Sequence, residues 1–460
     1  MNNNYKTYLG LITLVASLGG LLFGFDMAVI SGVLPFVEKQ FNLTPLQEGW
    51  FVSSALVGCI IGVAFSGDLS DRLGRKKLLF LSAVLFLFSA LGCSLVTSLD
   101  LLIASRLLGG IGVGIASIVV PLYLSEISPA AIRGRLVTFY QLAITVGILM
   151  AYVTNSVLLN YSEHHTATSG LIDLIYIKEV WRGMFSIGGL LAALFLVGLF
   201  FVPESPRWLI KKGRSLEGLA ILKNINNGKD EALEAALIGE KHSDNGSYKE
   251  LLSPKLRKAM LLGILLPLFS QLSGINAIIY YGPSILHDSG IALSNSFLGQ
   301  IIFGLANVVF TFIAIWKVDD WGRRPLYLLG TVGATISLFV TGILFYLGLT
   351  TSIFLFISVI LFLACFAFSI GPLKFVIASE IFPTNVRGKA LGVSIMVMWV
   401  ADTIMGQVTP ILLKEAGTPA TFWVFAFFCF IAFFIVYKLL PETKGKSLEE
   451  IESFWDEKKS

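Results

Sequence analysis

Four ionisable residues, Asp26, Arg106, Lys374 and Asp402, stand within long apolar runs of the chain, as do the amides Gln141, Gln271, Asn276 and Asn307. A charge inside a membrane span costs on the order of 2.5–3.5 kcal/mol on insertion scales, so each must be explained by chemistry or by a partner. An acid beside a guanidinium in apolar surroundings is suited to taking up and releasing a proton as the two separate. Amides close to aromatic rings suit recognition of a small hydroxyl-rich molecule, although a single intramembrane amide is as often interhelical glue. The chain contains no Gly-Lys phosphate loop, nucleophile constellation or cluster of metal ligands. It reads as neither an enzyme nor an ATP-driven machine, with no cofactor or metal implied.

Membrane-spanning helices must position these residues. The 460-residue chain is 55% hydrophobic and only 14% charged, with a mean hydropathy of +0.80, outside the balance of a soluble domain. Twelve apolar runs, near 9–33, 47–67, 77–96, 100–124, 136–158, 183–203, 259–286, 295–318, 325–348, 352–378, 389–412 and 420–440, each reach the roughly 20 residues that cross a ~30 Å hydrocarbon core. The first retains Asp26 and is followed by the others, which reads as a span and not a removable signal. A formal charge of +4 on scattered basic residues excludes a nucleic-acid surface.

Basic residues set the orientation. Arg72, Arg75, Lys76, Lys77, Arg133, Arg135, Arg323, Arg324, Arg387 and Lys389 fall in alternate loops, and the opposite set holds only Lys39, Lys178, Arg182 and Lys414. The positive-inside rule makes the first set and both termini cytoplasmic, in a multi-pass protein of the cell's inner (plasma) membrane. Cys59, Cys93, Cys365 and Cys429 all lie in apolar spans, where packing and no structural disulfide is expected. No histidine lies deep in a span, which argues against a histidine proton relay.

The chain repeats itself. Residues 67–76, G-D-L-S-D-R-L-G-R-K, are answered by V-D-D-W-G-R-R-P at 318–325, and E-I-S-P-A-A-I-R-G-R at 126–135 by E-I-F-P-T-N-V-R-G-K at 380–389. Both copies keep one spacing, Glu126 to Arg133 and Glu380 to Arg387. The expected organisation is an all-α polytopic protein: a six-helix bundle over 1–203, a polar cytoplasmic linker with short helices over 204–258, a second bundle over 259–440 and a tail over 441–460. Helical spacing places linker helices at 215–225 and 230–238. Two matching halves suit a transporter whose central site opens to either side as one half rocks against the other.

With G-F-D-M-A-V-I-S-G at 24–32, P-E-S-P-R-W-L at 203–209, Q-L-S-G-I-N-A-I-I-Y-Y at 271–281 and P-E-T-K-G-K-S-L-E-E at 441–450, these motifs resemble the sugar porter family of the major facilitator superfamily. The likeness runs along nearly the whole chain, to bacterial proton-coupled xylose and hexose symporters and to human facilitative glucose transporters. It implies Asp26 and Arg106 as a proton-coupling pair; facilitative carriers generally lack the acid. It implies sugar contacts at Phe23, Gln141, Gln271, Asn276, Tyr280, Asn307 and Trp399, and a cytoplasmic latch of Asp71, Arg72, Glu126, Arg133, Arg323, Glu380 and Arg387.

Departures from the family pattern stand beside these matches. Ser270 replaces a usual glutamine, Phe375 a usual tryptophan and Met398 a frequent polar residue, making the second half of the site less polar. Lys374 and Asp402 are charges where the family has none, and mutual neutralisation as an ion pair is the expected explanation. The function implied is proton-coupled import of a small neutral monosaccharide, a pentose or hexose, by a protein embedded in lipid and acting as a monomer. A polyol such as an inositol, a sugar acid meeting Lys374, facilitative uniport and a non-transporting sensor are the alternatives.

Overall fold

The computed structural model describes residues 4–128, 133–166, 170–225, 248–383 and 386–444. Twelve long apolar helices run through it: α1 (Asn4–Phe41), α2 (Pro45–Leu73), α3 (Arg75–Leu95), α4 (Leu99–Ile127), α5 (Arg133–His164), α6 (Val180–Gly198), α7 (Arg257–Asp288), α8 (Leu293–Trp321), α9 (Arg323–Tyr346), α10 (353–381), α11 (Arg387–Glu415) and α12 (Gly417–Leu439). Each coincides with one expected apolar run; several continue beyond it, and Val180–Gly198 stops five residues short of the expected end at 203. α1 has 38 residues, about 57 Å at 1.5 Å per residue, well over the ~30 Å hydrocarbon thickness. Hydropathy registers the part in lipid, whereas backbone hydrogen bonding carries the helix on through polar ends such as Glu38, Lys39 and Gln40.

The chain forms two compact units, one of Met1–Phe41 and Ser54–Ser243, the other of Asn42–Ser53 and Asp244–Ser460. In the first, α2 and α4 meet through small residues. A Cβ added at Gly58, Gly62, Gly110 or Gly114 would run into the backbone carbonyl of Leu107, Ile111, Ala55 or Cys59 respectively on the facing helix. Such close backbone approach is how helices associate where no hydrophobic driving force separates protein from lipid. α1 and α5 interlock in the same way, Gly24 against Ile144 and Gly147 against Leu21. These contacts fix the rotation of α1 and α4, and with it where Asp26 and Arg106 point.

In the second unit α7 is broken. Its two segments, Arg257–Leu272 and Ile275–Asp288, are separated by Ser273 and Gly274. Gly274 takes φ +81°, and a Cβ there would strike the Phe425 ring, so both the left-handed backbone and the packing require glycine. α10 is also irregular, with a π-helical turn over Phe366–Ile370 between Ile353–Cys365 and Gly371–Ile381.

Short helices cover Pro206–Lys211 and Ser215–Ile225 after α6, the second of them at an expected position. The other expected linker helix, 230–238, lies outside the described residues. At the start of this segment Arg214 donates to Glu217 at 2.6 and 2.8 Å, and this hydrogen bonding, then the Arg214 charge, holds the Glu217 carboxyl below its ordinary range. All four cysteines are free, three of them fully buried.

Candidate functional site

Asp26 on α1 and Arg106 on α4 face one another within the first unit. The Arg106 Nη1 stands 3.6 Å from Asp26 Oδ2, with the side chains 2% and 17% exposed, and the same nitrogen donates to the Asp26 carbonyl at 3.4 Å. The Phe185 ring lies 5.8 Å from the guanidinium carbon. This is an ion pair without a short hydrogen bond, for Asp26 Oδ2 and Arg106 Nε are both buried atoms lacking a hydrogen-bond partner. A small cavity of about 10 Å³ opens beside Asp26, bounded by Phe86, Ser89, Phe185 and Gly188. That is room for one water-sized group.

Ionisable and amide side chains also converge in the second unit, across the break in α7. Gln271 ends the first segment and Asn276 lies in the first turn of the second, and Asn276 Nδ2 donates to Gln271 Oε1 at 3.0 Å. The same nitrogen donates to Asp402 Oδ1 on α11 at 2.6 Å. The Tyr280 hydroxyl, one turn further along α7, donates to both Asp402 oxygens at 3.4 and 3.2 Å. Asp402 is 3% exposed. Its charge is held by neutral donors.

Lys374 on α10 does not complete that group. The expected ion pair with Asp402 is not formed: Lys374 Nζ donates to Ser270 Oγ at 2.8 Å and lies 5.2 Å from the Phe375 and 6.0 Å from the Phe366 ring centre. Lys374 is 7% exposed, and the two charges act on one another only through space. Their positions on separate helices were legible in the sequence; the register between those helices was not. Asn276 and Tyr280 reach Asp402 first. Trp399 and Asn307 are buried at 1% and 9% exposure, Phe375 is half-buried, and in the first unit so are Phe23 and Gln141.

At the end of the helices that carries the basic loops, each unit builds the same charge network. In the first, Arg75 donates to Glu126 at 2.7 and 2.8 Å and to Asp71 at 2.9 Å. Glu204 accepts from the backbone N–H groups of Arg75 and Lys76 at 3.0 to 3.2 Å, and the Ser205 hydroxyl donates to Glu126 at 2.5 Å. In the second, Arg323 reaches Glu380 at 3.0 Å, Glu442 accepts from the N–H groups of Arg323 and Arg324 at 3.0 Å, and Thr443 donates to Glu380 at 2.6 Å. The arginine in each case opens a helix directly after a left-handed glycine, Gly74 with φ 100° and Gly322 with φ 85°.

Arg72, expected in this network, is exposed and takes no part in it among the described residues. Arg75 stands in its place, because the Gly74 turn reverses the chain between them. The Arg133 side chain lies outside the described residues, and Arg387 donates to the Phe382 carbonyl at 3.4 and 3.5 Å. Glu204, Ser205, Glu442 and Thr443 were missed, although P-E-S at 203–205 and P-E-T at 441–443 repeat one another in sequence.

Paired networks in two halves, a sealed acid and arginine, and amides gathered at a broken helix form one pattern, and the model of the sugar (and other) transporter family matches residues 12–455. The chain is a sugar porter. This sugar porter is 39% identical to the arabinose-proton symporter of Bacillus subtilis, over 97% of its own length and 94% of the relative's. It is 36% identical to the major myo-inositol transporter of the same organism, over 98% and 94%. Its fold matches a partially occluded inward-open structure of the xylose transporter XylE from E. coli with a TM-score of 0.82 and 34% identity, covering 96% of this chain and 100% of that one. The sugar porter is thus an integral membrane transporter with the major facilitator fold.

Proposed function

We propose that this sugar porter takes up a monosaccharide-sized sugar together with a proton, by alternating access. The observation that carries the reading is the sealed Asp26–Arg106 pair, an intramembrane acid whose partner holds it through a long contact and leaves one oxygen without a hydrogen bond. Proton occupancy of Asp26 and the strength of its tie to Arg106 exclude one another, so a conformational step that loosens the pair is linked to protonation. One charge crossing 100 mV supplies about 2.3 kcal/mol, roughly a fiftyfold accumulation. A relative that carries arabinose with protons supports symport. The myo-inositol transporter among the relatives keeps a polyol as the second substrate class.

In this reading Gln271, Asn276, Tyr280 and Trp399, with Phe23, Gln141, Asn307, Ser270 and Phe375, contact the substrate. The two charge networks lie at the cytoplasmic face of the plasma membrane, both termini on that side, and brace each unit until the cycle loosens them. The protein works as a monomer.

Purified protein in proteoliposomes, offered labelled arabinose, xylose and inositol under an imposed pH gradient, tests the proposal. Accumulation above the external level that collapses with a protonophore is expected. Equilibration without accumulation would replace symport by uniport.

A further inference from the structure

The direction of the hydrogen bonds around Asp402 decides what the second-unit cluster offers a ligand. The amide nitrogen of Asn276 faces Asp402, the sense that an accepting carboxylate oxygen requires, and its oxygen faces away. That nitrogen also serves Gln271, which commits Gln271 Oε1 as an acceptor and leaves the Gln271 NH₂ group, which donates to no described residue, as a pure donor. With the Asn276 nitrogen committed to both Gln271 and Asp402, the Gln271 NH₂ group is the donor that the cluster leaves over.

Lys374 is a second buried donor beside this stretch of α7. Its only described hydrogen-bond acceptor is the Ser270 hydroxyl, on the residue next to Gln271. An ammonium has three N–H donors, and ring faces balance its charge without accepting from all of them. A buried cation with one neutral acceptor and no carboxylate in contact is poorly compensated. A ligand can supply what is missing. Resting on the transport reading above, we infer that Lys374 and Gln271 form a donor-only subsite for a carboxylate, so that among monosaccharide-sized substrates the protein favours a sugar acid over its neutral parent sugar. Asp402 acts as a positioning residue, setting the polarity of the amides without touching the ligand.

Binding of D-galacturonate and D-glucuronate to the purified full-length protein, compared with D-galactose and D-glucose by calorimetry, tests this, with uptake of the same four compounds in proteoliposomes. The uronates are expected to bind more tightly than their parent sugars. Lys374→Met is expected to weaken uronate binding roughly tenfold or more, the scale of a lost hydrogen bond to a charged group, and by a clearly larger factor than it weakens neutral-sugar binding. Lys374→Arg should keep most of the preference. Should Lys374→Met fail to fold, the double variant K374M/D402N removes both charges at once and should likewise have lost the preference. Neutral sugars bound and transported at least as well as uronates, or a Lys374→Met effect equal on both, overturns the inference and leaves the transport reading standing. If none of the four compounds, nor arabinose, xylose or inositol, is transported, the transport reading falls with it.

Discussion

Glu204 and Glu442 hold the same place in the two units: each accepts from the first two backbone N–H groups of a helix that starts after a left-handed glycine. Those N–H groups have no partner inside the helix, and a carboxylate also suits the positive end of the helix dipole. Glu204→Ala and Glu442→Ala are each expected to destabilise the protein by about 1–2 kcal/mol, the scale of a lost cap. Thermal unfolding of the purified protein in detergent reads this, and unchanged midpoints for both would show that the caps are replaced by solvent.

Arg75 and Arg72 provide an internal control. The Arg75 side chain is 7% exposed and bonded to two carboxylates, so Arg75→Ala leaves Glu126 without its cation, held by the Ser205 hydroxyl alone among the described partners, and should cost about 3–5 kcal/mol. Arg72→Ala removes an exposed charge, and about 0–1 kcal/mol is expected. Comparable losses in the two unfolding curves would contradict the network as described.

Asp26→Asn is expected to abolish uphill uptake while sparing substrate binding and part of counterflow exchange, because an amide resembles the neutral acid. Counterflow and gradient-driven uptake measured on the same proteoliposomes separate the two. Gradient-driven accumulation at the unmodified level would remove Asp26 from proton coupling.

Gln141→Ala, Gln271→Ala and Asn276→Ala should each weaken substrate binding by about 1–3 kcal/mol, the cost of polar groups left unpaired. Asn276→Ala should cost most, since it also strips a 2.6 Å donor from Asp402. Calorimetric titration ranks the three, and a ranking with Asn276→Ala mildest would argue against Asp402 depending on it.

Gly274→Ala places a Cβ at φ +81° against the Phe425 ring. Backbone strain of about 1–3 kcal/mol is expected from the conformation alone, with the clash in addition, read as a lower unfolding midpoint. An unchanged midpoint would mean that the break in α7 can shift freely.

The twelve spans were legible because lipid demands long apolar helices and little else produces them. What was not legible lies at helix ends and between helices. Read as one continuous helix, Arg72 and Arg75 lie three residues apart on a common face; Gly74 at φ 100° ends that helix, so only Arg75 turns back towards Glu126. Lys374 and Asp402 were recognisable as charges out of place, but spacing along two separate helices does not say which neighbour each meets. The break at Gly274, which lets Asn276 reach both Gln271 and Asp402, follows from backbone geometry that a hydropathy pattern passes over.

The order in which the network residues leave the ribosome has a consequence of its own. Arg75 and Glu126 precede Glu204 in the first unit, and Arg323 and Glu380 precede Glu442 in the second. The Arg75–Glu126 and Arg323–Glu380 pairs thus join residues of earlier helices, and each network gains its helix cap only with the Pro-Glu pair that follows the last of its six helices. A half truncated before that point lacks the residue that caps α3 or α9, and the first N–H groups of that helix are left without their carboxylate.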